Sequence, residues 1–449
     1  GLANGLANLH NARRAHSPVV NVVGDHTSWH LPFDAPLTSD IAALGRTVGA
    51  HHEVRGRLAV TQATWAAIDD AAGRRGVSTL VVPADFLEEP APEAPAERLP
   101  HPPARPGAGG DRIERTARRL REAGSRAVLL LGGTALTRRG QRAAGDIAAA
   151  TGAALYSETF PARAERGGGL PAIDRLPYFP EAAMARLGDA AAVILAGADE
   201  PVAYFGYRGL PSRLAPDGSV HQLAGPGDDA EQALLALAES LGRPAAGQRP
   251  APAAAPGIPG APLNGDTVLT GQSAGSAVAS WLPEHAIVSI EGGTCGYPFY
   301  TASAGTVPHT VLTNTGGAIG QGLPAALGAA IAAPDRPVIA LQSDGSALYT
   351  AQALWTMARE SLNVTVLIAA NNTYNVLRTE LARGSGASLT AQAARLTSLG
   401  DPPIDWESLA RGYGVAAATV ATVGELHQAF TDSVKAGGPH LIQLAMAQS

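Results

Sequence analysis

Two polar residues, Asp344 and Asn371, directly follow apolar runs that are typical of buried strands. The runs cover residues 337–342 and 364–370, which is a spacing that suits two parallel strands joined by a crossover helix. The carboxyl ends of such strands line the crevice where open α/β sheets bind ligands. Carboxylate and amide oxygens suit Mg²⁺, which completes its coordination with phosphate oxygens and water. The sequence therefore predicts a Mg²⁺–diphosphate site at this edge.

The residues after Asp344 fit the same chemistry. Gly345 lets the backbone approach a phosphate, and the Ser346 amide is predicted to open a helix whose unpaired N–H groups favour an anion. That helix is expected to continue through Trp355 on an amphipathic pattern. The alternative is an ordinary strand-to-helix turn, because Asp-Gly-Ser is common at helix starts. A second strand that ends in Asn-Asn at the matching distance favours the binding site.

Composition excludes several classes of protein. The chain has 449 residues, of which 45% are hydrophobic, and a formal net charge of −6. This is enough apolar material for buried cores, and it lacks the basic excess expected of a protein that binds nucleic acid or an anionic membrane. No run of about 18 apolar residues predicts a membrane span. Cys295 is the single cysteine, which excludes an internal disulfide and favours a cytoplasmic location.

Two Pro- and Ala-rich stretches, residues 88–110 and 243–262, are predicted linkers. They divide the chain into residues 1–87, 111–242 and 263–449. Each part alternates short apolar runs with amphipathic helical patterns, which is typical of parallel strands in βαβ units. We therefore predict an α/β protein with three doubly wound parallel-sheet domains.

The segment Ser343-Asp344-Gly345-Ser346, followed by Asn371-Asn372, resembles the thiamine diphosphate motif, which begins with Gly-Asp-Gly and closes with Asn-Asn. Ser343 replaces the first glycine, which leaves the metal ligand intact. The resemblance extends over essentially the whole chain. It includes the segments GGAIGQGLPAALGA, IDWESLARGYGV, GPHLIQ and LPEHAI, which are similar to acetolactate synthase large subunits and benzoylformate decarboxylases.

The resemblance implies a role for each part of the chain and for individual residues. Residues 1–87 would be the C-terminal part of a pyrimidine-binding domain, residues 111–242 the central Rossmann-like domain, and residues 263–449 the diphosphate-binding domain. The implied Mg²⁺ ligands are the side chains of Asp344 and Asn371 and the carbonyl of Thr373. The implied cofactor-binding residues are Thr294, Gly345, Ser346, Tyr374 and Asn375 for the diphosphate, and Ile319 beneath the thiazolium ring, where plain core packing is the alternative.

The sequence gives few indications of the substrate. In benzoylformate decarboxylases a catalytic histidine lies in a segment that resembles residues 201–207, and Phe205 occupies its place here, which favours carboligation over aldehyde release. His26 follows a predicted strand and either faces a ligand or is a solvated loop residue. Glu291 either lines the site or is an ordinary solvated carboxylate. FAD, present in some acetolactate synthases, would bind the central domain, but no motif there calls for it.

The resemblance implies thiamine diphosphate- and Mg²⁺-dependent decarboxylation and carboligation of small 2-oxo acids by a homodimer or homotetramer. The alternatives are a benzoylformate decarboxylase-like enzyme and a truncated paralogue that binds the cofactor without catalysis. The glutamate that activates the cofactor is expected upstream of Gly1, in roughly 70–80 residues that the family pattern adds there. The catalytic residue is therefore unknown, and weak or no turnover is expected of this chain alone. A nicotinamide-dependent dehydrogenase is disfavoured, because no Gly-x-Gly-x-x-Gly with a following acidic residue opens a helix.

Overall fold

The computed structural model describes residues 1–88, 105–242, 265–385 and 389–446. The chain forms two compact units. The first contains Gly1–Pro106 with Thr315–Ala318, and the second contains Gly107–Asn314 with Ile319–Ser449. Of the two predicted linkers, residues 89–104 and all of 243–262 lie outside the described residues.

The first unit contains a three-stranded parallel sheet in the order β1-β3-β2. The middle strand is buried along its whole length, as its continuous apolar run predicts. The first and third strands were predicted from their β-branched residues, whereas the second was not, because it reads Gly-Ala-His-His-Glu. The elements are α1 (Leu2–Arg14), β1 (Val19–Asp25), α2 (Ile41–Val48), β2 (Gly49–Glu53), α3 (Val60–Arg74), β3 (Val77–Pro83) and α4 (Asp85–Glu88).

The second unit contains two sheets. The smaller one has five parallel strands in the order β7-β5-β4-β8-β9, and its central strands are fully buried between helices. The elements of this part of the chain are α5 (Gly110–Ala123), β4 (Ala127–Leu131), α6 (Arg138–Thr151), β5 (Ala154–Ser157), β6 (Arg163–Arg166), β7 (Asp174–Arg175), α7 (Pro180–Leu187), β8 (Ala192–Ala196), β9 (Val220–Ala224) and α8 (Ala230–Leu241).

The larger sheet has seven strands in the order β14-β15-β13-β12-β10-β11-β6. Six are parallel, and β6, which comes from the middle third of the chain, pairs antiparallel with β11. The remaining elements are α9 (Gly271–Ser280), β10 (Ile287–Glu291), α10 (Gly293–Ala302), β11 (His309–Thr313), α11 (Gly322–Ala332), β12 (Val338–Ser343), α12 (Asp344–Ala347), α13 (Ala353–Arg359), β13 (Val364–Ala370), α14 (Asn375–Ser385), α15 (Ala391–Leu396), α16 (Trp406–Gly412), β14 (Ala416–Val420), α17 (Val423–Ala436) and β15 (His440–Ala445).

The three sheets confirm the predicted α/β class with parallel, helix-covered strands; the antiparallel strand β6 is a departure that the sequence did not indicate. None of the helices in the described ranges has the length and apolar character that crossing a bilayer requires.

The register between β12 and β13 brings the two predicted metal ligands to one edge of the sheet. Ser343 pairs with Ala369, so both strands end within one residue of each other. Asp344 and Asn371 therefore both follow the carboxyl ends of adjacent parallel strands, where ligands bind in open α/β sheets.

The predicted continuous helix from Ser346 to Trp355 is wrong. Helix α12 ends at Ala347 and α13 begins only at Ala353. The intervening turn packs against the glycine-rich segment: the Thr350 hydroxyl donates to the Gly320 carbonyl at 3.0 Å, and a Cβ at Gly320 would lie 2.9 Å from Cβ of Tyr349. This tertiary contact interrupts a pattern that locally favours helix.

The start of β11 contains a buried histidine whose protonation opposes folding. His309 is 1% exposed, its Nδ1 donates to the Val307 carbonyl at 2.8 Å, and its Nε2 has no partner among the described residues. Burial is the main reason that the pKa of His309 is lowered to about 4, and the positive charges of Arg166 and Arg138 also lower it. The hydrogen bond to the Val307 carbonyl and the charge of Glu165 raise the pKa, but by less.

We expect this histidine to make stability depend on pH. Because the folded-state pKa lies below that of the unfolded chain, the unfolded chain binds the proton more readily, and stability falls as pH falls from about 6.5 to about 4. The shift corresponds to about 3 kcal/mol. Urea denaturation across this range should show a flatter pH dependence in His309→Asn, whose amide can keep the bond to Val307. The exposed His285→Asn is the control, and equal slopes in both variants would contradict the prediction.

Candidate active site

The carboxylate of Asp344 joins the ends of β12 and β13. Its Oδ2 accepts a hydrogen bond from the Asn372 amide at 2.7 Å, and its Oδ1 accepts one from the Gly345 amide at 2.8 Å. Asn372 adopts a left-handed conformation, with φ of 56°, which asparagine tolerates better than most residues. The two segments that the sequence singled out therefore contact each other directly.

Asn371 links this pair of strands to a third one. Its Nδ2 donates to the Thr294 hydroxyl at 3.2 Å, and its Oδ1 accepts from the Thr373 amide at 3.0 Å. Thr294 lies in the first turn of α10, just after β10. Thus Asp344, Asn371, Thr373 and Thr294, all predicted from the sequence, converge at the carboxyl ends of three neighbouring strands.

Gly345 sits under the ring of Tyr374. A Cβ at Gly345 would overlap this ring and would lie 3.2 Å from Cδ1 of Leu399, so only glycine fits. The Tyr374 amide donates to the Thr397 carbonyl at 2.9 Å, and the Leu399 amide donates to the Asn372 carbonyl at 2.8 Å. Residues 397–399 thereby hold the loop after β13 in place, a support that the sequence analysis did not identify.

Ser346 is fixed by its hydroxyl group. The hydroxyl donates to the Ser343 carbonyl at 3.0 Å and accepts from Gln342 Nε2 at 2.8 Å. The same Gln342 nitrogen donates to Oε2 of Glu291 at 2.7 Å. Ser346 is thus connected through Gln342 to the end of β10.

Glu291 is the centre of a hydrogen-bond network, and the interpretation as a solvated carboxylate is wrong. The residue is 6% exposed and accepts five hydrogen bonds of 2.7–3.2 Å. Three donors are the backbone amides of Gly320, Gln321 and Gly322, where the glycine-rich segment enters α11; the others are the side chains of Asn314 and Gln342. Glu291 therefore fixes the backbone on either side of residue 320.

Burial dominates the electrostatics of Asp344. The residue is 1% exposed, and burial raises the pKa of its carboxyl group, although the Asn372 and Gly345 amides oppose this. Burial also raises the pKa of Tyr374, and Tyr349 and Asp344 add to the effect. In the described residues, no cationic side chain forms an ion pair with Asp344. The site is a buried carboxylate that only peptide dipoles stabilise.

Two further predicted residues flank this site. Asn375 is the exposed first residue of α14, so its amide lies in the first turn of a helix. Ile319 is 44% exposed and directly precedes Gly320, whose φ of 103° requires glycine. The alternative of plain core packing for Ile319 is wrong, because its side chain is not in a core.

The two predicted substrate residues lie elsewhere in the chain. His26 belongs to the first unit, where it stacks edge-on against His30 at 5.5 Å and lines a cavity of about 1140 Å³. Phe205 lies in the loop between β8 and β9 and is 56% exposed. The positions of His26 and Phe205 do not test a role in substrate binding, so both assignments stay predictions.

The predicted metal ligands of the site are all oxygen atoms, and only one of them belongs to a carboxylate. Across the described ranges, no group of three or more His, Cys, Asp and Glu side chains is arranged to hold a metal ion. This excludes a multi-carboxylate or histidine site there, but not a Mg²⁺ ion that takes one carboxylate, one amide oxygen and one carbonyl. The sequence analysis singled out Glu291 from its place after a predicted strand, but it did not indicate the hydrogen-bond network around it.

Known proteins resemble the chain in both sequence and structure. A family model described as "Thiamine pyrophosphate enzyme, C-terminal TPP binding domain" matches residues 295–444. The chain is 46% identical to IlvX of Mycobacterium tuberculosis, whose name assigns it provisionally to the acetolactate synthase large subunits; the match covers 99% of this chain and 85% of IlvX. It is also 33% identical to benzoylformate decarboxylase of Pseudomonas aeruginosa, over 47% of this chain and 38% of that enzyme.

Solved structures agree in fold. A thiamine diphosphate-dependent 4-hydroxybenzoylformate decarboxylase of Rhodococcus jostii superposes with a TM-score of 0.83 at 24% identity, and benzoylformate decarboxylase of Polynucleobacter necessarius with 0.81 at 20% identity. Each match covers 100% of this chain and 86% of the other. The 46% identity to IlvX extends over 99% of this chain, and the family model matches its C-terminal part. We conclude that the chain belongs to the thiamine pyrophosphate enzymes of the acetolactate synthase and benzoylformate decarboxylase type.

Proposed function

We propose that this protein is a thiamine diphosphate- and Mg²⁺-dependent enzyme that decarboxylates a small 2-oxo acid and joins the remaining fragment to a second carbonyl compound, as its resemblance to acetolactate synthases implies. One observation carries the proposal: the buried Asp344 carboxylate, bonded to the Asn372 amide, meets Asn371 at the carboxyl ends of adjacent strands. A site of this kind suits a divalent cation that anchors a diphosphate.

The residues present fit these two groups. Asp344 is buried without a cationic partner among the described residues, and each of its oxygens accepts one backbone amide, which leaves room for a metal ligand bond. A divalent cation would stabilise this charge, which burial otherwise disfavours. The Ser346 amide, in the short helix that begins at Asp344, and the Asn375 amide, in the first turn of α14, would be backbone donors for a phosphate.

We assign each group to residues of this chain. The side-chain oxygens of Asp344 and Asn371 and the Thr373 carbonyl would hold Mg²⁺. Ser346, Tyr374, the Asn375 amide and the Thr294 hydroxyl would hold the diphosphate, and Ile319 would support the thiazolium ring. Gly345 would make room for the Tyr374 ring beside them. When bound, thiamine diphosphate supplies the nucleophilic carbon and the electron sink for decarboxylation. The protein orients the cofactor through rigid strand ends and the segment that Glu291 fixes.

Benzoylformate decarboxylase-like activity is the second candidate, because three of the matched proteins are named as decarboxylases of benzoylformate or its 4-hydroxy derivative. Phe205 favours the first candidate, since a phenyl ring cannot protonate an intermediate as a histidine can. A cytoplasmic location and a homodimer or homotetramer stay predictions. The prediction that an activating glutamate lies upstream of Gly1 also stays a prediction.

The test measures CO₂ release from pyruvate and from benzoylformate by the full-length protein, with thiamine diphosphate and Mg²⁺ present together or singly. We expect release only with both cofactors, and with pyruvate we expect acetolactate in excess over acetaldehyde. Benzaldehyde as the main product from benzoylformate would favour the second candidate. Calorimetric binding of the cofactor without CO₂ release from either acid would favour the non-catalytic paralogue and would overturn the proposed activity.

A further inference from the structure

Three aromatic rings of the second unit enclose the guanidinium of Arg175. Its Cζ lies 4.0 Å from the ring centre of Tyr300, 4.9 Å from that of Tyr297 and 6.0 Å from that of Phe160. We call these three rings and Arg175 the aromatic cage. Cation–π attraction holds the guanidinium in place and compensates in part for its lost hydration.

The aromatic cage lies where α/β sheets bind ligands. Arg175 is the last residue of β7, and Phe160 follows the end of β5 by three residues. Tyr204, whose ring centre is 5.4 Å from that of Phe160, follows the end of β8. Parallel strands of one sheet present their carboxyl ends on one side, which is the side that open α/β sheets use for ligands.

The guanidinium of Arg175 has no carboxylate partner in the described parts of the chain. It forms no ion pair or hydrogen bond there, although guanidinium offers five N–H donors. Besides burial, the groups that act on the pKa of Arg175 are Tyr300, Tyr297, Arg166 and Tyr204, and none of them is a carboxylate.

The neighbouring charge in the aromatic cage is also positive. Arg166 lies 3.7 Å from the Tyr300 ring centre and is fixed by the Tyr300 carbonyl at 2.7 Å. Burial raises the pKa of Tyr297, so its phenol stays neutral at pH 7 and adds no negative charge. A partly buried arginine beside a second arginine, with free donors, is an environment that attracts an anion.

Helix α10 connects the aromatic cage to the candidate active site. Tyr297 and Tyr300 both lie on this helix, and Thr294, which accepts from Asn371, lies in its first turn. The Tyr297 ring lies against the start of the helix. A Cβ at Gly293 would be only 2.9 Å from Cε2 of this ring. One aromatic ring therefore separates Arg175 from the helix end that carries Thr294.

We propose that Arg175 in the aromatic cage binds a carboxylate of the substrate that the reaction retains. This inference rests on the proposed function for its choice of a 2-oxo acid. Guanidinium and carboxylate match as two parallel N–H···O bonds. The carboxylate that leaves as CO₂ is a poor candidate, because an arginine that holds its charge would stabilise the ground state more than the transition state.

A retained carboxylate has two sources: a second carboxylate on the donor acid, or the carboxylate of an acceptor 2-oxo acid. The first arm of the test titrates 2-oxoglutarate and its 5-amide into the cofactor-free protein by calorimetry. The second arm titrates pyruvate and its uncharged methyl ester. Arg175→Met removes the charge, Arg175→Lys keeps it, and Arg139→Met, at an arginine 66% exposed, is the matched control.

We expect at least one acid to bind the natural protein roughly 10- to 100-fold more tightly than Arg175→Met, with Arg175→Lys between them and the control unchanged. A preference for 2-oxoglutarate over its amide identifies a donor side chain, and a preference for pyruvate over its ester identifies the acceptor. Equal affinities of the natural protein and Arg175→Met, or no binding of either acid, overturns the inference. Acid binding through Arg175 in a protein that releases no CO₂ leaves the inference intact and rejects the proposed function instead.

Discussion

Replacing Asp344 with Asn should weaken thiamine diphosphate binding in the presence of Mg²⁺ by roughly 100-fold or more and reduce CO₂ release in proportion. Asparagine keeps the shape and one acceptor oxygen but removes the only buried negative charge that the candidate metal site contributes. Isothermal titration with the cofactor at saturating Mg²⁺ measures the effect directly.

The control for this substitution is Asp335→Asn, at an exposed position. It makes the same chemical change away from the strand ends, so its cofactor affinity should match that of the natural protein. Circular dichroism should show that Asp344→Asn still folds, because asparagine can accept one of the two amide bonds. Cofactor affinity within about threefold of the natural value would reject Asp344 as a metal ligand.

The strands that hold this site could be predicted because their own local sequence indicates that they are buried. Strands β12 and β13 are continuous apolar runs that end in polar turn residues, and buried parallel strands require this pattern. Adjacent parallel strands then place Asp344 and Asn371 at one edge without further information. By contrast, β2 is polar and β6 pairs antiparallel with a strand about 145 residues away, so neither leaves a local signal.

The supporting contacts could not be predicted because they depend on long-range packing. The interrupted helix after Ser346 depends on Thr350 meeting Gly320. The Glu291 network depends on Asn314 and residues 320–322, which donate to the carboxylate at the end of β10. Local propensity cannot specify such contacts, which form only once the sheet is assembled. The aromatic cage was missed for the same reason, since Arg175 lies on β7 of the five-stranded sheet and Tyr297 lies on helix α10, which follows β10 of the seven-stranded sheet.

Replacing Glu291 with Gln should lower the free energy of unfolding by about 3 kcal/mol. The two oxygens of Glu291 accept all five bonds, and an amide nitrogen in place of Oε2 would face the Gly322 amide and Gln342 Nε2, which are themselves donors. Gln342 can turn its amide to meet the new group, since its own Oε1 has no partner among the described residues. The buried Gly322 amide cannot turn, so it is left unsatisfied, and the lost charge weakens the remaining bonds.

The effect of Glu291→Gln should also be local and visible before global unfolding. Hydrogen exchange at the Gly320 and Gly322 amides should accelerate, because these N–H groups lose a charged acceptor. Glu360→Gln, at an exposed side chain paired with Arg359, removes a carboxylate without burying an amide and should change stability by no more than about 0.5 kcal/mol. If urea denaturation gave the two variants equal stability, the network around Glu291 would be incidental to the fold, and another contact would have to hold Ile319 in its position.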